Sequence, residues 1–403
     1  MNKTRYKQKA ASRSDILTLL SEACEIEHGL ACSYLYTAFS FKQSTDEGIT
    51  WEQLHLVKKW AAQIFFVASE EMLHLAQIWN LTTAIGGIPY YSRPNFPLNA
   101  KYFHFELPVT LEPFSERVIK RFKMYELPTS LSERKYVKEE FGVSFEDGYD
   151  YKTVGELYEL IKEGIRTVSE ENLFIGDPKF QVGQSTVDFP DIIEVVDRES
   201  ALRAIDLIVE QGEGTLSETE NNHYAIFSKI YDEFKLELRK DSGFKPCRRM
   251  IKNPVIYDKG NLNQSEGNLL GNELTARVSD LFDDLYVLMM QILQHTFYSS
   301  DMELARKWGK FAIHMMPTVI KPLADALSMQ AAGEDYPEFV AGPSFTINRH
   351  VAFPFQFETA RLMMLERLEE IIHRGSNLCR TEKKLPREFL NAIKNLKTIS
   401  KNL

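Results

Sequence analysis

The sequence predicts an all-α protein, a four-helix bundle with irregular insertions and additional C-terminal helices. Three observations lead there. Long stretches carry apolar residues every three or four positions, and glycine and proline fall where those stretches end. Acidic and imidazole side chains also lie in line with the apolar seams.

Residues 14–42 place Ile16, Leu20, Ala23, Leu30, Tyr34, Ala38 and Phe41 at helical spacing, the seam of a long first helix. A second is expected over 51–85, with Val57, Ala61, Ile64, Ala68, Leu75, Ile78, Thr82 and Ile85 in its seam. Gly86-Gly87 and then Pro89 should end it, because glycine accepts a left-handed exit and proline supplies no N–H. The link through Gly48 is short, so the two helices form an antiparallel hairpin. Residues 90–114, which include His104-Phe105-Glu106-Leu107, show no helical period and read as irregular with a short strand. Helices over 116–125 and 154–165 follow, then a loop over 172–190.

Asp197 caps a helix to about residue 211, where Gly212 and Gly214 break the pattern. Ser217 and Glu220 make a capping-box pattern that opens the next helix, to about residue 238. After a loop over 245–264, helices are expected at 273–298, 302–330, 357–374 and 386–399, with Pro317 and Pro322 kinking or dividing the second of these. The organisation expected is a bundle over 14–240 with a helical region, 265–403, packed on it.

The chain has 403 residues, 44% hydrophobic and 26% charged, ample for a large core. A net charge of -9, without a dense Lys/Arg block, argues against nucleic-acid binding. No apolar run reaches the roughly 20 residues that cross a bilayer, and the basic start lacks the apolar core of a secretory signal. The expectation is a cytoplasmic protein with no membrane partner. Cys24, Cys32, Cys247 and Cys379 show no paired spacing and read as buried thiols.

The chemistry lies in the seams. The first-helix series 16, 20, 23, 30, 34 passes through Glu27, and the second-helix series 64, 68, 75, 78 passes through Glu71. His74 shares the face of Glu71, giving Glu-x-x-His, and Glu220 with His223 repeats the motif. An ionised carboxylate among apolar side chains is costly unless paired or bound to a cation. Several in one bundle point to a dinuclear centre of iron or manganese, which takes single glutamates from two helices and Glu-x-x-His from two others. Glu210 is the choice for the remaining carboxylate, with Glu213 second. Glu220 has a rival role inside its capping box. Glu25 falls off the seam and is expected to be solvated, His28 to be a neighbouring hydrogen-bonding group, Glu70 to support the site or face solvent, and His314 to be a core histidine.

Several segments resemble the ferritin-like domain of the iminophenyl-pyruvate dimer synthases of violacein, rebeccamycin and staurosporine biosynthesis. They are Glu25-Ile-Glu-His28 with Ser33-Tyr-Leu-Tyr36, Glu70-Glu-Met-Leu-His-Leu75, Ile208-Val-Glu-Gln-Gly-Glu-Gly-Thr215, His223-Tyr-Ala-Ile-Phe227 and Ala341-Gly-Pro-Ser-Phe345. The likeness runs from about residue 15 to 350. It implies a ferritin-like bundle with two iron ions, manganese being the alternative, on Glu27, Glu71, His74, Glu210, Glu220 and His223. Tyr34 or Tyr36 would then supply a hydrogen bond or an electron near the metals. It also implies O2 and a small amino-acid-derived substrate (an amine, imine or keto acid), and is compatible with a homo-oligomer. Two competing readings are an iron-handling protein without an organic substrate, and a metal-free partner of a biosynthetic enzyme whose seam glutamates pair with Lys or Arg.

Overall fold

A computed structural model describes residues 11–98, 108–132, 134–141, 151–184, 186, 191–212, 221–256 and 268–403. The first helix, α1 (Arg13–Ser40), starts where the Ser12 side chain accepts the Asp15 N–H. A short turn leads to α2 (Trp51–Ala84), where Thr50 and Gln53 cap each other reciprocally. Gly86, at φ 83°, makes the left-handed exit expected of it.

Then follow α3 (Glu116–Tyr125), α4 (Arg134–Phe141), α5 (Val154–Thr167), α6 (Glu170–Leu173), α7 (Arg198–Gly212) and α8 (His223–Lys240). The remainder is α9 (Glu273–His295), α10 (Met302–Met315), α11 (Lys321–Leu327), α12 (Phe357–Thr381) and α13 (Arg387–Ile399). The helix expected over 302–330 is divided at Pro317, where a π-helical turn, Met316–Ile320, takes up the missing N–H. Of the strand expected in 90–114, a Leu98–Val109 bridge is present. The segment His104 to Leu107 lies outside the described residues.

The α1–α2 hairpin is the centre of the bundle. Helix α5 packs on α1, α7 on α5 and α2, and α8 on α3 and α2. Helices α10 and α12 pack on α9, and α13 on α11. One hydrophobic cluster joins Ile16 of α1 to Leu396 of α13. From Ala23 to Tyr34 α1 is buried on every face. This corrects the expectation for Glu25, which is buried. His314 is corrected the other way: it is exposed on α10. Among the described residues no helix is long and apolar enough to cross a membrane, and all four cysteines are free.

Candidate metal centre

The middle of α1 delivers Glu27, and α2 delivers Glu71 and His74, all at most 2% exposed. Glu126, the residue that ends α3, and His223, the first residue of α8, complete the set. They form two groups, Glu27–Glu71–His74 and Glu71–Glu126–His223, whose ligand atoms lie within 4.8 Å of one another in each. Glu71 belongs to both. Its Oε2 is 3.6 Å from His74 Nδ1, and its Oε1 is 3.0 Å from His223 Nδ1. His74 Nδ1 is also 3.4 Å from Glu27 Oε2, and His223 Nδ1 is 3.4 Å from Glu126 Oε2.

The surroundings of the two groups match. The Tyr158 hydroxyl donates to Glu27 and the Tyr34 hydroxyl to Glu126. His74 Nε2 meets Gln211 Oε1 at 3.0 Å, and His223 Nε2 meets Glu70 Oε2 at 3.1 Å. Those acceptors keep the proton on Nε2 and turn both Nδ1 lone pairs inward, as metal-bound imidazoles require. Glu70→Ala and Gln211→Leu are each expected to weaken metal binding by about 10- to 100-fold, measured by competition with a chelator.

The donor set fits a pair of cations. Glu71 Oε2 and His223 Nδ1 are buried without a hydrogen-bond partner among the described residues, where such orphans are uncommon. None of the three glutamates pairs with Lys or Arg among the described residues, against the metal-free reading. The same protein treats an ordinary buried carboxylate otherwise. Glu112 has Arg117 at 2.5 Å, Arg121 at 3.0 Å and Lys252 at 3.0 Å around it, and despite burial those cations hold it down to about 2.

Without a cation the cluster binds protons instead. Burial, and then the charge of Glu71, push Glu27 up to about 8. Burial opposes a charge on His74, but the adjoining Glu27 and Glu71 carboxylates outweigh it and push the imidazole up to about 10. Both values exceed the ordinary 4.5 and 6.5 of the unfolded chain. Their contribution to stability is therefore complete below those ordinary values and is lost as pH rises through about 8 and about 10. Metal-free protein should melt at a progressively lower temperature from about pH 5 to about pH 10, whereas the metal-loaded form should escape that loss. Calorimetric melts of both forms check this.

Several expectations change. Glu210 is exposed on α7, because the buried stripe of that helix runs through Ala201, Ala204, Ile205, Ile208 and Gly212, away from position 210. Gln211 reaches the centre instead. Glu213 and Glu220 lie outside the described residues. Helix α8 begins at His223, behind an Asn222 cap. Tyr36 is also corrected. Its hydroxyl donates to the Ile251 carbonyl, in the segment after α8. His28 does hydrogen-bond, through Nδ1 to the Tyr91 carbonyl at 2.7 Å and through Nε2 to the Tyr286 hydroxyl at 2.5 Å. Sequence reasoning missed Glu126 and Tyr158. The signal for Glu126 was present, since Ile119 and Phe122 lead to position 126 at 3-4 spacing.

The bundle interior thus carries two carboxylate–imidazole groups, sharing one glutamate, that could hold metal ions. A family model described as Ferritin-like matches residues 20–232. That is more than half of the chain, and the chain belongs to this family. It is 28% identical to dichlorochromopyrrolate synthase of Lentzea aerocolonigenes, over 89% of this chain and 38% of that protein. It is 24% identical to 2-imino-3-(indol-3-yl)propanoate dimerase of Chromobacterium violaceum, over 80% of this chain and 33% of that protein. These two proteins bear out the resemblance seen in the helix motifs, although the chain spans only 38% and 33% of their lengths. Among solved structures, a ferritin-like protein from Caulobacter vibrioides aligns at 18% identity and a TM-score of 0.40, over 66% of this chain and 82% of that one.

Proposed function

We propose that this chain is a non-haem di-iron oxidase or oxygenase acting with O2 on a small amino-acid-derived substrate. The observation that carries the reading is Glu71, with one oxygen turned to each of two ligand groups. Glu27 and His74 would hold one ion, Glu126 and His223 the other, and Glu71 would bridge them. Bound iron would supply electrons to O2 and accept them from the substrate; manganese is the alternative metal.

The protein's own groups prepare the site. Tyr158 and Tyr34, kept protonated by burial and then by the adjoining Glu27 and Glu126, act as donors that fix those carboxylates. The space between the ligands is about 20 Å³, walled by Ile208 and Gly212. That is room for a water-sized group beside the ligands. The names of the two relatives suggest an imine of an indolyl amino acid as the first substrate to try.

Iron-reconstituted protein given indole-3-pyruvate with ammonium should consume O2 in a substrate-dependent way, followed with an oxygen electrode. Iron uptake with no dependence of O2 consumption on amine, imine or keto acid would favour the iron-handling reading.

A further inference from the structure

A second cavity, of about 340 Å³, lies between α9, α12 and the segment 346–353, away from the metal ligands and within the size range of small-molecule sites. Asp283 of α9, 3% exposed, is part of its lining. No Lys or Arg pairs with it among the described residues. The Ser344 hydroxyl donates to its oxygens at 2.8 and 2.7 Å, and the Thr346 N–H at 2.9 Å. Burial, above all, pushes Asp283 up to about 8, against the hydrogen bonds from Ser344 and Thr346, which favour its charged form.

Asp283 aside, the charged lining residues are Asp284, Arg349 and Arg367. Asp284 is paired with Arg367 and Arg374, which also pair with Glu370 and Asp280 respectively, so Arg349 is the cation left for a ligand. Arg349, exposed at the rim, donates to the Asn348 carbonyl at 2.6 Å and pairs with no carboxylate among the described residues. Val287, Val351, Phe353 and Met363 supply apolar surface, with Val351 49% and Met363 37% exposed and uncovered.

Phe345, between Ser344 and Thr346, has φ 48°, a left-handed conformation that bulky residues rarely adopt. Its ring packs edge-on against Phe282 and Tyr286, and its carbonyl accepts from Arg93 at 2.8 Å. A backbone held in such a state by its surroundings is a feature of ligand-binding segments. This turn belongs to the Ala341–Phe345 motif, for which the metal centre has no use.

We propose that this cavity binds a small monocarboxylate with an aromatic or branched apolar body, the carboxylate on Arg349 and the body against Val287, Val351, Phe353 and Met363. The site is independent of the metal reading.

Titration calorimetry with indole-3-acetate and with phenylacetate tests it. At least one probe should bind saturably, one per chain, with Kd below about 1 mM, equally in metal-free and metal-loaded protein and in Glu71→Gln. Arg349→Ala should weaken binding at least about 10-fold, as loss of a charge-assisted contact does; Arg349→Lys should restore most of it, and Val287→Trp should block the cavity. Circular dichroism melts establish that each variant is folded. The proposal is overturned if neither probe binds saturably, if Arg349→Ala binds as wild type, if uncharged indole binds as tightly as indole-3-acetate, or if binding disappears with the metal.

Discussion

Glu71→Gln is expected to lose both metal ions at once. Each oxygen of Glu71 faces a different imidazole Nδ1, so an amide there removes a negative charge and a bridging oxygen from both groups together. Affinity should fall at both positions by more than the roughly 100-fold attached to loss of an outer hydrogen-bond partner. The metal content after desalting should drop from about two ions per chain to well under one. Glutamine has nearly the same shape, so the helical circular dichroism signal should persist. A variant that still retained two ions would deny Glu71 its bridging place.

Glu126→Gln is expected to remove one ion and leave the other. Of the two imidazoles Glu126 approaches that of His223, at 3.4 Å, and among the described residues it belongs to the group containing it and not to the other, while Glu27 and His74 stay intact across Glu71. The content should fall to about one ion per chain, and the retained ion should resist chelators much as in the wild type. Loss of both ions, or of neither, would show that the two groups are not the separate halves of one centre. Tyr34 should register the change, because its hydroxyl donates to Glu126.

The contrast between Glu71 and Glu126 also shows what periodicity can and cannot reveal. Glu27, Glu71 and His74 were legible because they lie within long, regular seams, where a charged group among apolar neighbours is conspicuous. His223 was recognised through the Glu-x-x-His pattern, and α8 begins at that residue, behind the Asn222 cap. Glu126 was overlooked because it falls one residue past the end of α3, where the pattern had been closed. The choice of Glu210 failed for a different reason. A helix pattern shows which residues share a stripe but not where along its neighbours the stripe docks, and docking brings Gln211 to His74.

Burial from elements distant in sequence was the least legible. Glu25 lies off the seam of α1, but from Ala23 to Tyr34 that helix is covered on all sides, with α9 supplying Tyr286 against His28. Tyr158 reaches Glu27 from α5, a contact that no spacing within either helix encodes. The overall class survives these misses, because the turn residues and the seam positions agree on a bundle at every level.

The most direct test of the account is the number and placement of metal ions in the full chain. Protein purified without oxygen and titrated with Fe(II), with bound metal measured by elemental analysis and the ligand set by X-ray absorption, should saturate at about two ions per chain in an oxygen-and-nitrogen environment. Saturation at zero or one ion, or a site that survives replacement of both His74 and His223, would contradict it.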